Sequence, residues 1–92
     1  MHDIEQEMIN KVKSDTLKML IEVNQIHNVN IQKLEGNTDL LIRTNVLLMN
    51  IHTLESLILT TNEDIVFISD LFEKMEHSIN KYKNLFVKKK TK

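Results

Sequence analysis

The chain has 92 residues, a formal net charge of −1, one Gly, no Pro and no Cys. That length allows one small domain, and the lack of Cys excludes disulfides and thiolate metal sites and fits a reducing compartment. Scarce aromatics and the absence of Trp leave few bulky groups for a compact monomeric core, so association is expected to contribute to stability. Charge is unevenly placed: Lys81, Lys83, Lys88, Lys89, Lys90 and Lys92 crowd one end, while Asp3, Glu5 and Glu7 sit at the other. No basic-then-apolar leader opens the sequence. The greasiest stretch, 40–59, contains Arg43, Asn45, Asn50, His52 and Glu55, which argues against a membrane span. A soluble intracellular chain is expected.

Taken in chain order, Ile9, Val12, Thr16, Met19, Val23 and Ile26 alternate at steps of three and four, the spacing of one helix face. The register then meets polar Asn30, Lys33, Asn37 and Thr44, while Ile31, Leu34, Leu41 and Leu48 form a second stripe one position away. Gly36-Asn37 is the strongest breaker, suited to a left-handed residue that ends a helix, and Asn37-Thr38-Asp39 can cap the next. The reading is an N-terminal helix within 1–35, a breaker at 36–37, a long heptad helix over 38–87 and a basic tail at 88–92. Asn30, Asn37 and Asn45 either fix register as buried polar groups or belong to a connection that is never packed, and the second is simpler.

From Leu47 onward the seven-residue repeat is continuous: Leu47, Ile51, Leu54, Ile58, Thr61, Ile65, Ile68, Phe72, Met75, Ile79, Tyr82, Phe86. With Ile51 at heptad position a, Leu57, Leu71 and Leu85 fall at g and widen the stripe toward the face expected in a bundle of three or more helices. A stripe this long asks for partner helices, with Leu71 and Phe72 at the densest contact. The alternative is an intramolecular hairpin in which the first helix supplies the whole partner surface. Thr60 with Glu63, or Thr61 with Asp64, has the spacing of a capping box. Because the heptad phase passes through that segment without a skip, a kink at 60–62 is expected rather than a full turn. The fold class is all-α: a long helical hairpin, or two long helices in coiled-coil or bundle contacts with partner chains.

Chemistry is sparse. His52 with Glu55, and Glu73 with His77, each place two ligand-type groups one turn apart, short of the three or four converging ligands a metal site needs. The chain offers no nucleophile–base–orienter set and no phosphate-binding glycine loop, so no enzyme activity, cofactor or metal is expected. The Lys88, Lys89, Lys90 and Lys92 tail is either a solvated end or a contact for an acidic polymer or surface. Without interleaved aromatics it is poorly suited to nucleic acid.

One stretch resembles a known family. Residues 49–58, Met-Asn-Ile-His-Thr-Leu-Glu-Ser-Leu-Ile, followed by residues 63–72, Glu-Asp-Ile-Val-Phe-Ile-Ser-Asp-Leu-Phe, are similar to the centre of the smallest Duo-and-Dam-interacting subunits of the DASH complex. In that family an asparagine-rich leucine helix leads into a Leu-Glu-Ser segment, and a Val-Ser-Asp-Leu-Trp block follows a short spacer; Phe72 stands at the Trp position. The resemblance spans roughly residues 30–80. It implies a non-catalytic subunit of an outer-kinetochore complex that couples chromosomes to microtubules, working in the nucleus and on the spindle. The residues alone are equally compatible with a scaffold subunit of a vesicle-tethering or organelle-biogenesis complex, or with a small self-associating viral or regulatory protein.

Overall fold

The computed structural model describes residues 3–87, which form three helices and, among the described residues, no strand: α1 (Ile4–Glu35), α2 (Thr38–Thr60) and α3 (Ile65–Asn84). The fold is all-α, and each helix packs against the other two. The Lys88, Lys89, Lys90 and Lys92 tail lies outside the described residues.

Local chemistry sets each start. Asp3 caps α1, its carboxylate accepting the Gln6 N–H at 3.2 Å, with Glu5 and Glu7 in the first turn complementing the helix dipole. Asn37 caps α2 by accepting the Leu40 N–H at 3.0 Å, and Asp64 caps α3 by accepting the Phe67 N–H at 3.0 Å. Between α1 and α2 the chain turns at residues 36–37. Gly36 does not adopt the left-handed geometry expected of it: its φ is −99° and ψ 5°, which a residue with a side chain also adopts.

The long helix expected over 38–87 is two helices, and the segment read as a kink at 60–62 is a full turn over residues 61–64. Thr61 leaves α2 in an extended conformation while its N–H still bonds to the Leu57 carbonyl at 3.0 Å. Its hydroxyl then accepts the Glu63 N–H at 3.1 Å, and Asp64 opens α3. These are the groups of the capping spacing, and they outweigh the unbroken phase. Phase carries little information here, because Ile58 and Ile65 face one core from two helices instead of one stripe along a single helix.

Cross-helix contacts give the topology. The Asn50 amide donates to the Ser78 hydroxyl, so α2 and α3 run antiparallel. The Glu5 carboxylate accepts the Ile65 N–H at 3.3 Å, while Glu22 pairs with Lys83 further along, so α1 and α3 run parallel. The result is an up-down-up three-helix bundle. Glu5 thereby places negative charge at the positive N-terminal pole of α3, a favourable interaction between helices distant in sequence.

The core is built from Ile9, Leu20 and Val23 of α1, Ile51, Leu54 and Ile58 of α2, and Ile68, Leu71, Met75, Ile79 and Tyr82 of α3. Burying one such aliphatic side chain stabilises by about 1.5–3 kcal/mol relative to exposure. Three polar side chains in the same register are also buried. Thr16 donates to the Val12 carbonyl at 2.8 Å, Asn30 to Ile26 at 2.8 Å and Thr44 to Leu41 at 2.9 Å. Each satisfies its donor within its own helix, which makes burial tolerable. Asn30 therefore belongs to the packed interior and not to an unpacked connection, whereas Asn37 is a cap and Asn45 is exposed.

Candidate interaction surface

The heptad positions assigned to partner chains are mostly used inside the chain. Ile51, Leu54, Ile58, Ile68, Leu71, Met75, Ile79 and Tyr82 are buried in the bundle core, and Leu47, Ile65, Phe72, Leu85 and Phe86 are half-buried. The expectation that these residues meet partner helices, with Leu71 and Phe72 at the centre, is corrected accordingly: the turn at 61–64 folds the second half of the seam onto the first. The intramolecular alternative needed one change, since α1 shares the task with α3. Only Leu57 among the assigned residues is exposed.

Leu57 leads to a surface that the heptad reading passed over. Ile42, Val46, Met49 and Leu57 are 57%, 61%, 70% and 46% exposed. Their spacing of four, three and eight, with Thr53 between the last two, places all of them on one side of α2. That side lies across the helix from Ile51, Leu54 and Ile58. From Thr44 to Thr60 the only formally charged residue is Glu55. A helix apolar on every side is ordinarily covered on every side, yet α2 has one face open. By contrast, α3 carries Asp70, Glu73, His77 and Lys81 on its exposed surface.

Beside the α2 stripe run two open grooves between α2 and α3. One, about 480 Å³, is bounded by Ile42, Val46, Leu47 and Leu85 with Arg43 and Lys81 at its edge. The other, about 530 Å³, lies beside Asn50 and Leu54 and is edged by Asp70, Glu73, Lys74, His77 and Lys81. Arg43 and Lys81 thus flank the Ile42 end of the stripe, and the groove toward the Leu57 end mixes Asp70 and Glu73 with Lys74 and Lys81. Within the chain Arg43 pairs with Asp39 at 3.2 Å and Lys74 with Asp70 at 3.1 Å.

Of the histidine pairs, His52 Nδ1 and Glu55 Oε1 are 3.3 Å apart on the surface of α2. Among the described residues no three His, Asp or Glu side chains converge as a metal would require. His27 instead meets Tyr82, its Nδ1 3.3 Å from the phenol oxygen, and Phe86 sits edge-on to the same ring at 5.2 Å. Burial pushes the Tyr82 pKa above its usual 10.0. No described helix is long and apolar enough to cross a membrane.

The fold and surface define a small helical bundle with one helix apolar on both its inner and outer sides. Comparison with protein-family models, curated proteins and solved structures returns no match for the chain.

Proposed function

We propose that the chain is a non-catalytic helical subunit of a multi-protein assembly, joined to its neighbours through the outer face of α2. The observation that carries this is the exposed row of Ile42, Val46, Met49 and Leu57 on a helix whose opposite side is already core. Contiguous apolar surface of this kind marks an interaction site, and depletion of charge at its centre is the composition of an interface core. The particular assembly proposed is a DASH-type kinetochore complex that couples chromosomes to microtubules. Its support is the sequence resemblance, whose first block falls on the C-terminal half of α2 and whose second spans the end of the 61–64 turn and the first half of α3.

Affinity capture of the chain from its native cells tests both levels. Small helical kinetochore subunits among the captured proteins are the expected result, and vesicle-tethering or organelle-biogenesis subunits would replace the kinetochore assignment by a scaffold one. The assembled complex should also bind microtubules, more weakly as salt rises, because exposed charges are screened over about 8 Å at physiological ionic strength. A captured complex indifferent to microtubules at every salt concentration refutes the kinetochore assignment.

A further inference from the structure

The seven-residue repeat runs unbroken through a turn that has no need of it. A turn can restart the pattern of α3 at any residue, yet Ile65 follows Ile58 by seven, which returns to the same helix face within about 20°. We infer that the 61–64 turn straightens into helix and that two copies of the chain then exchange α3, each closing the other's bundle. Only inner faces change partner, so the outer stripe of α2 stays open to other subunits in either form.

The turn is built from residues that a helix accepts. It contains neither Gly nor Pro, and no described residue has a positive φ. Thr61 and Asp64, at its two ends, both have a φ of −73°, inside the helical range, and depart from helix in ψ, at 148° and 173°. Straightening gives up three contacts: the Asp64 cap on the Phe67 N–H, the Glu63 N–H bond to the Thr61 hydroxyl, and the Ile65 N–H bond to Glu5. In return the carbonyls that end α2 bond to the N–H groups that start α3, groups that helix ends otherwise leave to caps and water.

The register of the closed chain suits the exchange. Asn50 donates to Ser78 across the antiparallel pair, and with Ile51 at position a both residues fall at g, flanking the a and d seam. That register sets Leu47 level with Ile79, Ile51 with Met75 and Ile58 with Ile68, all buried or half-buried. These layers are symmetric about Glu63. An antiparallel two-fold pair of straightened helices therefore repeats each of them between copies, which is the condition for domain swapping. It also adds two layers through the turn, Thr61 of one copy against Ile65 of the other and the reverse. The contacts of α1 with Lys83 and Tyr82 pass to the second copy unchanged in kind.

Outside the turn the same contacts are broken and remade, so the balance rests on the turn and on concentration. A tethered α3 competes at an effective concentration of about millimolar order. The closed chain prevails when dilute, and the exchanged dimer grows as the chain is concentrated. Its straightened helix from Thr38 to Asn84 is about 70 Å long, whereas the closed chain measures 56 Å at its longest. Exchange thus turns a compact subunit into a rod.

The full chain, refolded from urea at about millimolar concentration and sized by sedimentation, should give a dimer that decays slowly on dilution, because releasing α3 opens the core. Thr61→Leu fills the polar position in the middle of the seam and removes the turn's hydroxyl. It should raise the dimerisation constant by about tenfold or more, the scale of burying one Leu side chain. Inserting one Ala between Asn62 and Glu63 rotates the α3 stripe by about 100° in a continuous helix. The insertion should abolish the dimer and leave far-UV circular dichroism of the closed chain unchanged. Because the chain has no Cys, spin labels can be placed on Asn45→Cys and Lys81→Cys, both exposed, in chains mixed with excess unlabelled chain before refolding. The labels lie across neighbouring helices in the closed bundle, about 10–20 Å apart, and about 54 Å apart along the straightened helix. The long distance in the dimer fraction supports exchange. A short one there means that copies associate without exchange and overturns the proposal. So does a chain that stays monomeric throughout, Thr61→Leu included, or an Ala insertion that leaves the dimer intact.

Discussion

Replacing Tyr82 with Phe probes the packing of α3 against α1 at a single atom. The ring is fully buried against Phe86, so the variant keeps the packing and loses only the hydroxyl that faces His27. A net hydrogen bond contributes about 0.5–1.5 kcal/mol. The 3.3 Å separation and the half-buried His27, which water can reach, place this one at the low end, about 0.5–1 kcal/mol at neutral pH. Above pH 10.0 the difference changes with pH. Burial raises the folded-state pKa above that value, so the unfolded chain gives up the phenol proton first. Fewer protons are then bound by the unfolded state, and stability falls as pH rises. The neutral phenol's contribution is complete below pH 10.0 and is lost as pH climbs from there through the raised folded value. For one proton the slope approaches about 1.4 kcal/mol per pH unit. The Phe variant has no such slope at this position, so its deficit should narrow as pH rises above 10.0. Urea unfolding of both proteins across this range measures the difference, with the lysines titrating alike in each. Tyr82 is the chain's only Tyr and Trp is absent, so tyrosinate absorbance reads its ionisation directly. A folded-state midpoint at or below 10.0, or stability curves that stay parallel, would refute the reasoning.

Two further substitutions test the fold. Ile58→Ala should lower stability by about 2–5 kcal/mol because the side chain is fully buried, while its neighbour Leu57→Ala should cost under about 1 kcal/mol in the isolated chain; equal losses in chemical denaturation would mean that α2 is rotated about its axis. Asp64→Ala removes the cap of α3 and should cost about 0.5–2 kcal/mol. No change in the denaturation midpoint would indicate a helix continuous through residues 61–64.

The sequence carried the helices more clearly than the turns between them. Gly36 and Asn37 marked the first turn because they are a flexible residue and a good cap set side by side. The second turn had its signal too, in Thr61 and Asp64, but the seven-residue interval from Ile58 to Ile65 argued the other way. Periodicity reports which side chains share a face, and an antiparallel hairpin gives both halves of a seam the same face to share. The owner of the seam was therefore misjudged while its members were largely the buried ones. Polar Asn30 and Thr44 read as an interruption of the stripe, since sequence alone does not reveal that each bonds to a carbonyl three or four residues back. The outer stripe on α2 was legible in principle as a second period-3.6 row through Ile42, Val46, Met49 and Leu57. It was masked because the stronger heptad occupies the same helix.

The up-down-up order also has a kinetic meaning. Each helix packs on the one before it, and the chain closes only two short turns, at residues 36–37 and 61–64, to bring all three together. Short closures forfeit little chain entropy, and once both hairpins stand, α1 and α3 are already side by side. Helical bundles dominated by such near-neighbour pairings fold in microseconds to milliseconds. Encounters between macromolecules at typical association rates of 10⁵–10⁷ M⁻¹s⁻¹ and about micromolar concentration take a tenth of a second or longer. A chain that folds at such rates is finished before a partner of the proposed kind reaches it, so the proposed assembly would proceed by the meeting of finished surfaces.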